Sequence, residues 1–456
     1  MAKTRNPYMQ PVPLTCEPEK VENGVKLDMV KEYIHKHENN LRRYQYLGSL
    51  YRGFHDIYKE PEKDQWKPDN RLAVGFPRYM TETFVGYAYG IPIRVKHPDE
   101  NIDQKIQEFG RDNEVADHNL EMAKLCCQYG HAWEYIYQTE ESKTKLTACS
   151  PEYLFTVYDD TLKERALFAV RYGRHKTDER PNGELYGEIM TRETLRQFDG
   201  ESLKEERANP YGMIPVVEWR LNDERIGLYE EQAGLIESYN RAISEKANDV
   251  DAFAEAYLAA LGVELDEEGY RKIRDNRLIN LYGTDSAKDV LVHFLQKPTA
   301  DATQENLLNR LEQQIYQTSM VANISDENFG SANSGKALAY KLQAMSNLAG
   351  FFDKKIDKSL RKRYKIFCSL STNVERPDAW GDIEIKFSRN VPQNIAEEAE
   401  IAATLEGQVS KETQLSVLSI VDDPKEEINR MEEEHMEEQA RFLDMSMGEE
   451  PQRDGD

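Results

Sequence analysis

The sequence predicts a mostly helical α+β protein of several domains, and three observations support this fold class. The chain has 456 residues, which is about three times the roughly 150 residues of a typical domain. Three long segments without proline, 228–262, 301–322 and 336–370, have apolar residues at helical spacing. Short β-rich segments follow one another between 133 and 219 and predict an antiparallel sheet.

The first part of the chain is predicted to combine helices with this sheet. Residues 14–60 have helical spacing, and two more helices are expected at 79–88 and 117–128, the last one ending at Gly130. An edge strand is expected at 91–95. The predicted strands of the sheet are 133–137, 153–158, 166–172, 185–190 and 216–219.

Charge and composition exclude several classes of protein. The chain carries 83 acidic against 59 basic residues, a formal net charge of -24. This acidity argues against an ordinary nucleic-acid binder, which presents a basic face, but it allows a surface that lies near DNA without holding it. The five cysteines are scattered and do not form a disulfide framework. Because neither a transmembrane run nor a signal peptide is found, we expect a cytosolic protein.

The segment 228–262 is the most informative predicted helix. Ile236, Ile243, Val250 and Tyr257 fall seven residues apart, which is a heptad-like apolar stripe. The remaining surface is acidic, with seven acidic residues against two basic ones. Two interpretations stay open: a solvated coiled-coil face, or a helix with two packed sides and one acidic side that faces a shared space.

A compact insert separates this helix from the next one. Residues 267–274 predict a short helix, and 278–282 and 290–295 predict two strands around a turn. The helix 301–322 then runs back, so the two long helices are expected to form a hairpin with a head at its tip. A loop rich in Asn, Ser and Gly follows at 323–335.

The helix 336–370 has a basic face between Lys354 and Lys365. Three roles for this face stay open: contact with DNA, simple solvation, or pairing with an acidic face of a neighbouring subunit. We favour the pairing, because the chain as a whole is so acidic.

The C-terminal part is predicted to be helical apart from one returning strand at 383–388. Two helices are expected at 395–405 and 411–420. Between 421 and 456, 14 acidic residues oppose 4 basic ones, so a helix that frays into an acidic tail is expected.

Residues 330–337 almost match the phosphate-binding loop. That pattern requires Ser or Thr after the lysine to hold magnesium, but here Ala337 follows Lys336. The preceding segment also predicts a helix, whereas the motif follows a strand. We therefore interpret this segment as a polar loop. Nothing else in the sequence assembles a catalytic set, so we expect no enzyme activity, no cofactor and no metal site.

A series of sequence blocks keeps its order from 47 to 424. The most telling block is Asn-Pro-Tyr-Gly-Met-Ile-Pro-Val-Val-Glu-Trp at 209–219; the others lie at 47–57, 70–71, 85–93, 130–134, 151–152, 159–160, 239–240, 248–249, 334–338, 387–394 and 421–424. Together they resemble the portal proteins of tailed bacteriophages, in particular of long-tailed phages of Gram-positive bacteria. The chain departs from this family at 75–77, where Asn before an aromatic residue is more usual, and at Lys336, where an apolar residue is common.

The resemblance implies a portal-type subunit in a ring, usually of twelve copies, at one vertex of the capsid. Double-stranded DNA passes through the channel of such a ring during packaging and ejection. The implied regions are a mixed α/β wing (1–227), a stem helix (228–262), a clip (263–300), a second stem helix (301–322), a tunnel loop (323–335), a long helix with a wing strand (336–394), and a crown with the acidic C-terminal tail (395–456).

The resemblance also implies three groups of site residues. A mostly acidic lining suits a channel that moves DNA, because phosphate contacts from Lys and Arg would hold it. The stem residues expected to line the channel are Glu237, Glu245 and Asp249. Those expected in the tunnel loop are Asn323, Asn328, Phe329, Ser331, Asn333 and Lys336. The clip residues expected to dock the terminase motor and the connector are Arg271, Arg274, Asn280, Tyr282 and Asp285.

The implied partners are further copies of the chain, double-stranded DNA, the terminase large subunit, the head-completion or connector protein, the scaffold and the major capsid protein. No membrane is implied. The implied location is the virion, at the capsid vertex, after assembly in the host cytoplasm. One alternative from another class stays open: an acidic coiled-coil scaffold or adaptor without a channel, which would be a dimer or trimer.

Overall fold

The structure is a computed structural model of the chain. It describes residues 13–64, 67–177, 180–254, 258–261, 291–294, 301–324, 335–391, 395–418, 420, 421 and 423–447. The chain divides into two compact units, the first formed by 1–324 and 342–389 and the second by 325–341 and 390–456.

Four helices lie between residues 27 and 129 of the first unit: α1 (Leu27–Tyr51), α2 (Phe76–Tyr89), α3 (Glu100–Asp112) and α4 (Val115–Tyr129). Asp99 caps α3 by accepting the N–H groups of Asn101 and Ile102. Gly130 ends α4 in the left-handed region, with φ of 84°, and a Cβ at this position would collide with the backbone of Arg225.

The helix predicted from residue 14 begins only at Leu27, and this prediction was therefore wrong at its start. Strand β1 (Leu14–Cys16) and a single 3-10 turn, Pro18–Val21, occupy the earlier part. Pro18 explains the difference, because a proline disfavours the helical conformation of the residue before it. The other two predicted helices of this region are confirmed as α2 and α4, and β2 (Arg94–Lys96) takes the place of the expected edge strand, whereas α3 was not predicted.

Two sheets form the centre of the first unit. One has six strands in the order β1-β5-β6-β7-β8-β9, and the other has three in the order β10-β3-β4. All neighbours pair antiparallel except β1 with β5. The strands are β3 (His131–Gln138), β4 (Thr144–Cys149), β5 (Leu154–Asp159), β6 (Ala166–Thr177), β7 (Arg180–Met190), β8 (Thr194–Asp199), β9 (Ser202–Ala208) and β10 (Val216–Arg220).

The six-stranded sheet has a core on each face, because alternate side chains of a strand point to opposite sides. Phe155 and Phe168 pack with Val30 and Ile34 of α1 on one face. On the other face, Leu154, Met190 and their neighbours pack with Trp133 and Val216 of the three-stranded sheet.

A helical hairpin follows the sheets. It consists of α5 (Ala233–Ala254) and α6 (Asp301–Ser319), and its tip carries the antiparallel strand pair β11 (Leu258–Leu261) and β12 (Leu291–Phe294). The predicted hairpin with a head is confirmed in this respect. The helix predicted over 228–262 is shorter than expected at both ends. The strand predicted at 290–295 is confirmed as β12, which pairs with β11, whereas the strand predicted at 278–282 lies outside the described residues.

The long helix α7 (Gly335–Cys368) agrees closely with its prediction. Its predicted apolar stripe is buried throughout the first unit: Phe352, Ile356, Leu360, Tyr364 and Phe367. Strand β13 (Glu384–Lys386) pairs antiparallel with β2 and confirms the returning strand. The second unit contains α8 (Ile395–Leu405), α9 (Lys411–Leu415) and α10 (Pro424–Met447), so the helix expected at 411–420 ends early.

Candidate functional site

The two helices of the hairpin are antiparallel and joined by polar contacts along their length. Near the base, Gln232 Nε2 donates to Thr318 Oγ1 at 3.3 Å. Towards the tip, Gln304 Nε2 donates to Asp249 Oδ2 at 2.7 Å, and Lys246 forms an ion pair with Glu305.

An aromatic cluster ties the base of this hairpin to α2. The ring of Phe76 lies edge-on to Tyr239 of α5, at 5.1 Å between centroids, and to Tyr316 of α6, at 5.9 Å. Tyr79 adds a further edge contact to Tyr316. Edge-to-face pairs of this kind stabilise beyond the area they bury, so α2 sets the position of both hairpin helices at once.

Another face of α5 is covered by residues 55–64 and 67–74, which we call the strap; it begins with a 3-10 turn, Asp56–Lys59, and is extended where it runs along α5. The N–H groups of Val74, Leu72 and Asn70 donate to side chains on α5, at 2.9, 2.9 and 2.6 Å. The acceptors are the side-chain oxygens of Asn240, Ser244 and Asn248.

The spacing of the three acceptors along α5 matches the spacing of the N–H groups along the strap. Four residues of a helix rise roughly 6 Å, and two residues of an extended chain span roughly 6.6 Å. Asn240, Ser244 and Asn248 are four apart and can therefore each meet every second N–H of the strap. All three are buried, so the helix replaces a neighbouring strand in satisfying backbone groups that would otherwise stay unpaired.

The N-terminal part of the strap, from His55 to Lys63, is held to α5 by charged side chains. His55, which is buried, shares a hydrogen bond of 2.9 Å between its Nδ1 and Glu237 Oε1, and the Asp56 N–H donates to the other carboxylate oxygen. Lys63 pairs with Glu245 at 2.8 Å and Arg241 with Glu60 at 3.0 Å.

These contacts correct the expectation of one free acidic face on α5. The side chain of Glu237 is only 15% exposed and lies against the strap. Asp249 faces α6, whereas Glu245 stays half exposed beside Lys63. The heptad-like stripe is not one seam either, because Ile236 is fully buried and Val250 is 61% exposed.

The start of α5 is held by a buried ion pair. Arg43 Nε donates to Glu230 Oε1 at 2.6 Å, and the other carboxylate oxygen accepts the N–H of Gly227 at 2.9 Å. Tyr229 Oη donates to the carbonyl of Leu47. These contacts keep residues 228–232 in turns, so α5 begins at Ala233, and Glu230 is a buried anchor rather than part of an acidic surface.

A second buried carboxylate lies next to this anchor. Glu218 accepts from Arg225 Nε at 2.7 Å and from Tyr158 Oη at 2.5 Å, and it contacts His131 Nδ1 at 3.2 Å. Burial alone would raise the pKa of Glu218, but the hydrogen bond from His131 and the charges of Arg225 and Arg220 hold this pKa well below its usual range.

Several residues of the basic face predicted on α7 have partners inside the same chain and are not available for the pairing with a neighbouring subunit that we favoured; for the rest of the face that pairing stays a prediction. Arg363 is fully buried and donates from Nε to Glu134 Oε1 at 2.9 Å. Lys362 Nζ donates to the carbonyl of Val216, and Lys355 pairs with Asp223. Burial would raise the pKa of Glu134, but Arg363 and His118 lower it to about 2.

Most residues predicted for the tunnel loop and the clip lie outside the described residues. These are Asn328, Phe329, Ser331, Asn333, Arg271, Arg274, Asn280, Tyr282 and Asp285. Asn323 follows α6, and its Nδ2 donates to Glu312 Oε1 at 3.3 Å. Lys336 lies in the first turn of α7. A helix, α6, precedes the segment that resembles a phosphate-binding loop, as the loop interpretation requires.

In the part of the chain that the structure describes, no group of three His, Cys, Asp or Glu side chains could hold a metal ion. None of its helices is both long and apolar enough to cross a membrane.

Comparison with known proteins decides the family. The model of the family described as phage portal protein, SPP1 Gp6-like, matches residues 30–441. The chain belongs to this family. The resemblance read from the sequence blocks is therefore confirmed, and with it the assignment to a portal protein at the capsid vertex.

One relative and two solved structures show how similar this chain is to known proteins. The portal protein of Bacillus phage SPP1 is 24% identical over 431 residues, covering 89% of this chain and 84% of the relative. A chain from the neck of an empty gene transfer agent particle and one from the native gene transfer agent virion each have a TM-score of 0.45 and 12% identity. They cover 76% and 82% of this chain, and 90% and 92% of their own.

Proposed function

We propose that copies of this chain form a closed ring, of about twelve subunits, whose channel passes double-stranded DNA into and out of the capsid. The family match over 30–441 carries this proposal. The antiparallel hairpin of α5 and α6 supports it, because a rigid helical pair with a strand pair at its tip suits a stem that ends in a clip.

In this proposal, the two sheets and α1 to α4 form the wing, together with β13. The hairpin forms the stem, β11 and β12 belong to the clip at 263–300 and its borders, and 323–335 is the tunnel loop. Residues from 395 form the crown. The strap then belongs to the wing and braces the stem from one side.

The proposed channel lining consists of polar side chains that stay at least partly exposed. Glu245 is half exposed and Asp249 is partly exposed beside α6, so both stay in the lining, and the described tunnel-loop residue Asn323 joins them. Glu237 instead fastens the strap. A net charge of -24 per subunit repels phosphate and keeps DNA from binding the wall tightly.

The proposed partners at the clip are the terminase large subunit during packaging and the head-completion or connector protein afterwards. The proposed clip contacts are Arg271, Arg274, Asn280, Tyr282 and Asp285. The scaffold and the major capsid protein are the proposed partners during assembly of the vertex in the host cytoplasm.

Mutation of the lining tests the channel. Glu245→Lys together with Asp249→Lys is expected to slow packaging and to retain DNA on the ring, because new cations release counterions from the phosphates. The matched control is Asp160→Lys, which reverses an exposed charge in a wing turn. Normal packaging by the double variant, with no DNA retained at low salt, would show that the hairpin does not line the channel.

Solution mass tests the ring independently of the lining. Light scattering of the purified chain is expected to give a mass near twelve subunits, with scaffold added where assembly requires it. A stable dimer or trimer under both conditions would favour the acidic coiled-coil adaptor instead.

A further inference from the structure

A cavity of about 630 Å³ opens between the two sheets, away from the hairpin. Its floor is the face of β6 to β9, and its wall is the end of β3 and β4 with the turn before β10. The polar side chains that matter for its chemistry are Tyr135, Tyr137, Arg171, Glu188, Lys204 and Arg207.

The cavity contains a guanidinium group without a partner. Arg171 Nε is buried, and within the described residues the side chain of Arg171 makes no hydrogen bond or ion pair. Lys204 and Arg207 line the mouth, and their side chains likewise have no partner in the part of the chain that the structure describes. A buried donor without a partner costs free energy, so the half-buried Arg171 is suited to a ligand.

Glu188, the carboxylate opposite Arg171, forms no ion pair with it. The two residues are partners in the pairing of β6 with β7, and the Glu188 carboxylate accepts from Tyr135 Oη at 3.0 Å. Within the described residues, the cavity therefore has three cations without an ion pair at one side and one hydrogen-bonded carboxylate beside them.

Flat apolar surface lies next to these cations. Tyr135 and Tyr137 are stacked, with ring centroids 5.8 Å apart and an interplanar angle of 25°. Leu195 and Tyr211 complete this side of the cavity. Such a surface packs well against an aromatic or aliphatic side chain.

We propose that this cavity binds an acidic peptide segment of a partner protein. A carboxylate of the segment pairs with the guanidinium of Arg171, an adjacent apolar side chain packs on Tyr135 and Tyr137, and a second carboxylate meets Lys204 and Arg207 at the mouth. Arg is the residue best suited to bidentate recognition of a carboxylate. With Glu188 and Glu205 also in the floor, in a chain of net charge -24, the cavity suits one or two carboxylates better than the repeated charges of single-stranded DNA.

A cysteine in the cavity allows binding of a ligand to be measured. Cys149 lines it, and the other four cysteines of the chain are buried. Burial raises the pKa of the Cys149 thiol to about 11, so a neutral maleimide should label it slowly and at a rate that an occupant lowers. Labelling of the purified full chain can therefore be followed at this position by mass spectrometry.

The probe is the peptide acetyl-Asp-Phe-Asp-Phe-amide, and its matched control is acetyl-Asn-Phe-Asn-Phe-amide. We expect the acidic peptide to protect Cys149 and the neutral one to protect it at least tenfold more weakly. Arg171→Gln should raise the concentration for half-protection about tenfold, whereas Lys163→Gln, which removes an exposed cation elsewhere, should leave it unchanged.

Arg207→Gln provides a second test on the exposed edge strand β9, where loss of the fold is not expected. It should weaken protection several-fold. Equal protection by both peptides, or protection that survives both arginine substitutions, would overturn the proposal. Protection by oligothymidylate with none by the acidic peptide would also overturn it and assign a nucleic-acid site instead.

Discussion

The two ends of the strap-covered helix α5 are held by different kinds of interaction. At its base, Arg43 and Glu230 are both buried and meet in a fixed, bidentate ion pair. Further out, the strap is held by neutral hydrogen bonds to Asn240, Ser244 and Asn248 and by exposed ion pairs. The base is therefore fixed, whereas the part of α5 beyond Glu237 can exchange its contacts without leaving a buried charge unpaired.

The largest expected effect comes from the base. Arg43→Met leaves Glu230 as a buried carboxylate without its cation, and we expect a destabilisation of about 3–5 kcal/mol. The matched change Arg241→Met, in an exposed pair of the outer half, should cost less than about 1 kcal/mol. Thermal unfolding of the two variants, compared in the same assembly state, measures this difference in stability. Equal losses of stability would mean that the two ends of α5 are held equally firmly.

Acid should destabilise the folded protein through His37 of α1. Burial lowers the pKa of His37 to about 4, so the folded protein keeps this ring neutral while the unfolded chain binds a proton from about pH 6.5 downwards. The contribution of His37 to the free energy of unfolding is therefore fully present above pH 6.5. It is lost as the pH falls towards 4, and the loss amounts to about 3 kcal/mol.

The variant His37→Gln checks this prediction, because Gln does not titrate. Its unfolding midpoint should change less between pH 7 and pH 4 than that of the parent chain. Below that range, Glu134 takes over: since its folded pKa is about 2, its contribution is present above pH 4.5 and is lost as the pH falls through 2. An unchanged slope in His37→Gln would assign the acid sensitivity to other groups.

A smaller effect is expected from the hydrogen bonds of the strap. Ser244→Ala removes the acceptor of the Leu72 N–H and should cost about 1–3 kcal/mol locally. Ser238→Ala is its control, since Ser238 also donates to the carbonyl four residues earlier but does not touch the strap. Hydrogen exchange should quicken at Leu72 in the first variant alone, and equal exchange in both would mean that the strap is held by other contacts.

The smallest effect belongs to the exposed pair of Lys63 and Glu245. Lys63→Gln should cost at most about 1 kcal/mol, and added salt should abolish the difference from the parent chain. Proteolysis of the strap at low and high salt measures it. A large effect that persists in high salt would place this pair among the fixed anchors.

The sequence predicted the helices and hydrophobic strands well because their periodicity is local. It missed β8 and β9, whose residues are mostly polar and alternate weakly. It also read Glu230 and Glu237 as surface charge, since composition cannot reveal that Arg43 and His55, almost two hundred residues away, meet them.

One signal of the strap was present in the sequence. Asn240, Ser244 and Asn248 are polar residues four apart on one helical face, and Asn is a poor residue for a helix interior. Such a row suggests a partner for its side-chain oxygens. Which segment supplies the N–H groups depends on tertiary structure, so the pairing with Asn70, Leu72 and Val74 could not be predicted.

A cryo-electron microscopy reconstruction of the purified chain would show whether it forms a channel and which helices line it. We expect a closed ring with a central opening, in which the α5–α6 hairpins surround the opening and each strap lies on its own α5. A ring whose opening is formed by other elements, or a rod-shaped dimer or trimer, would contradict it.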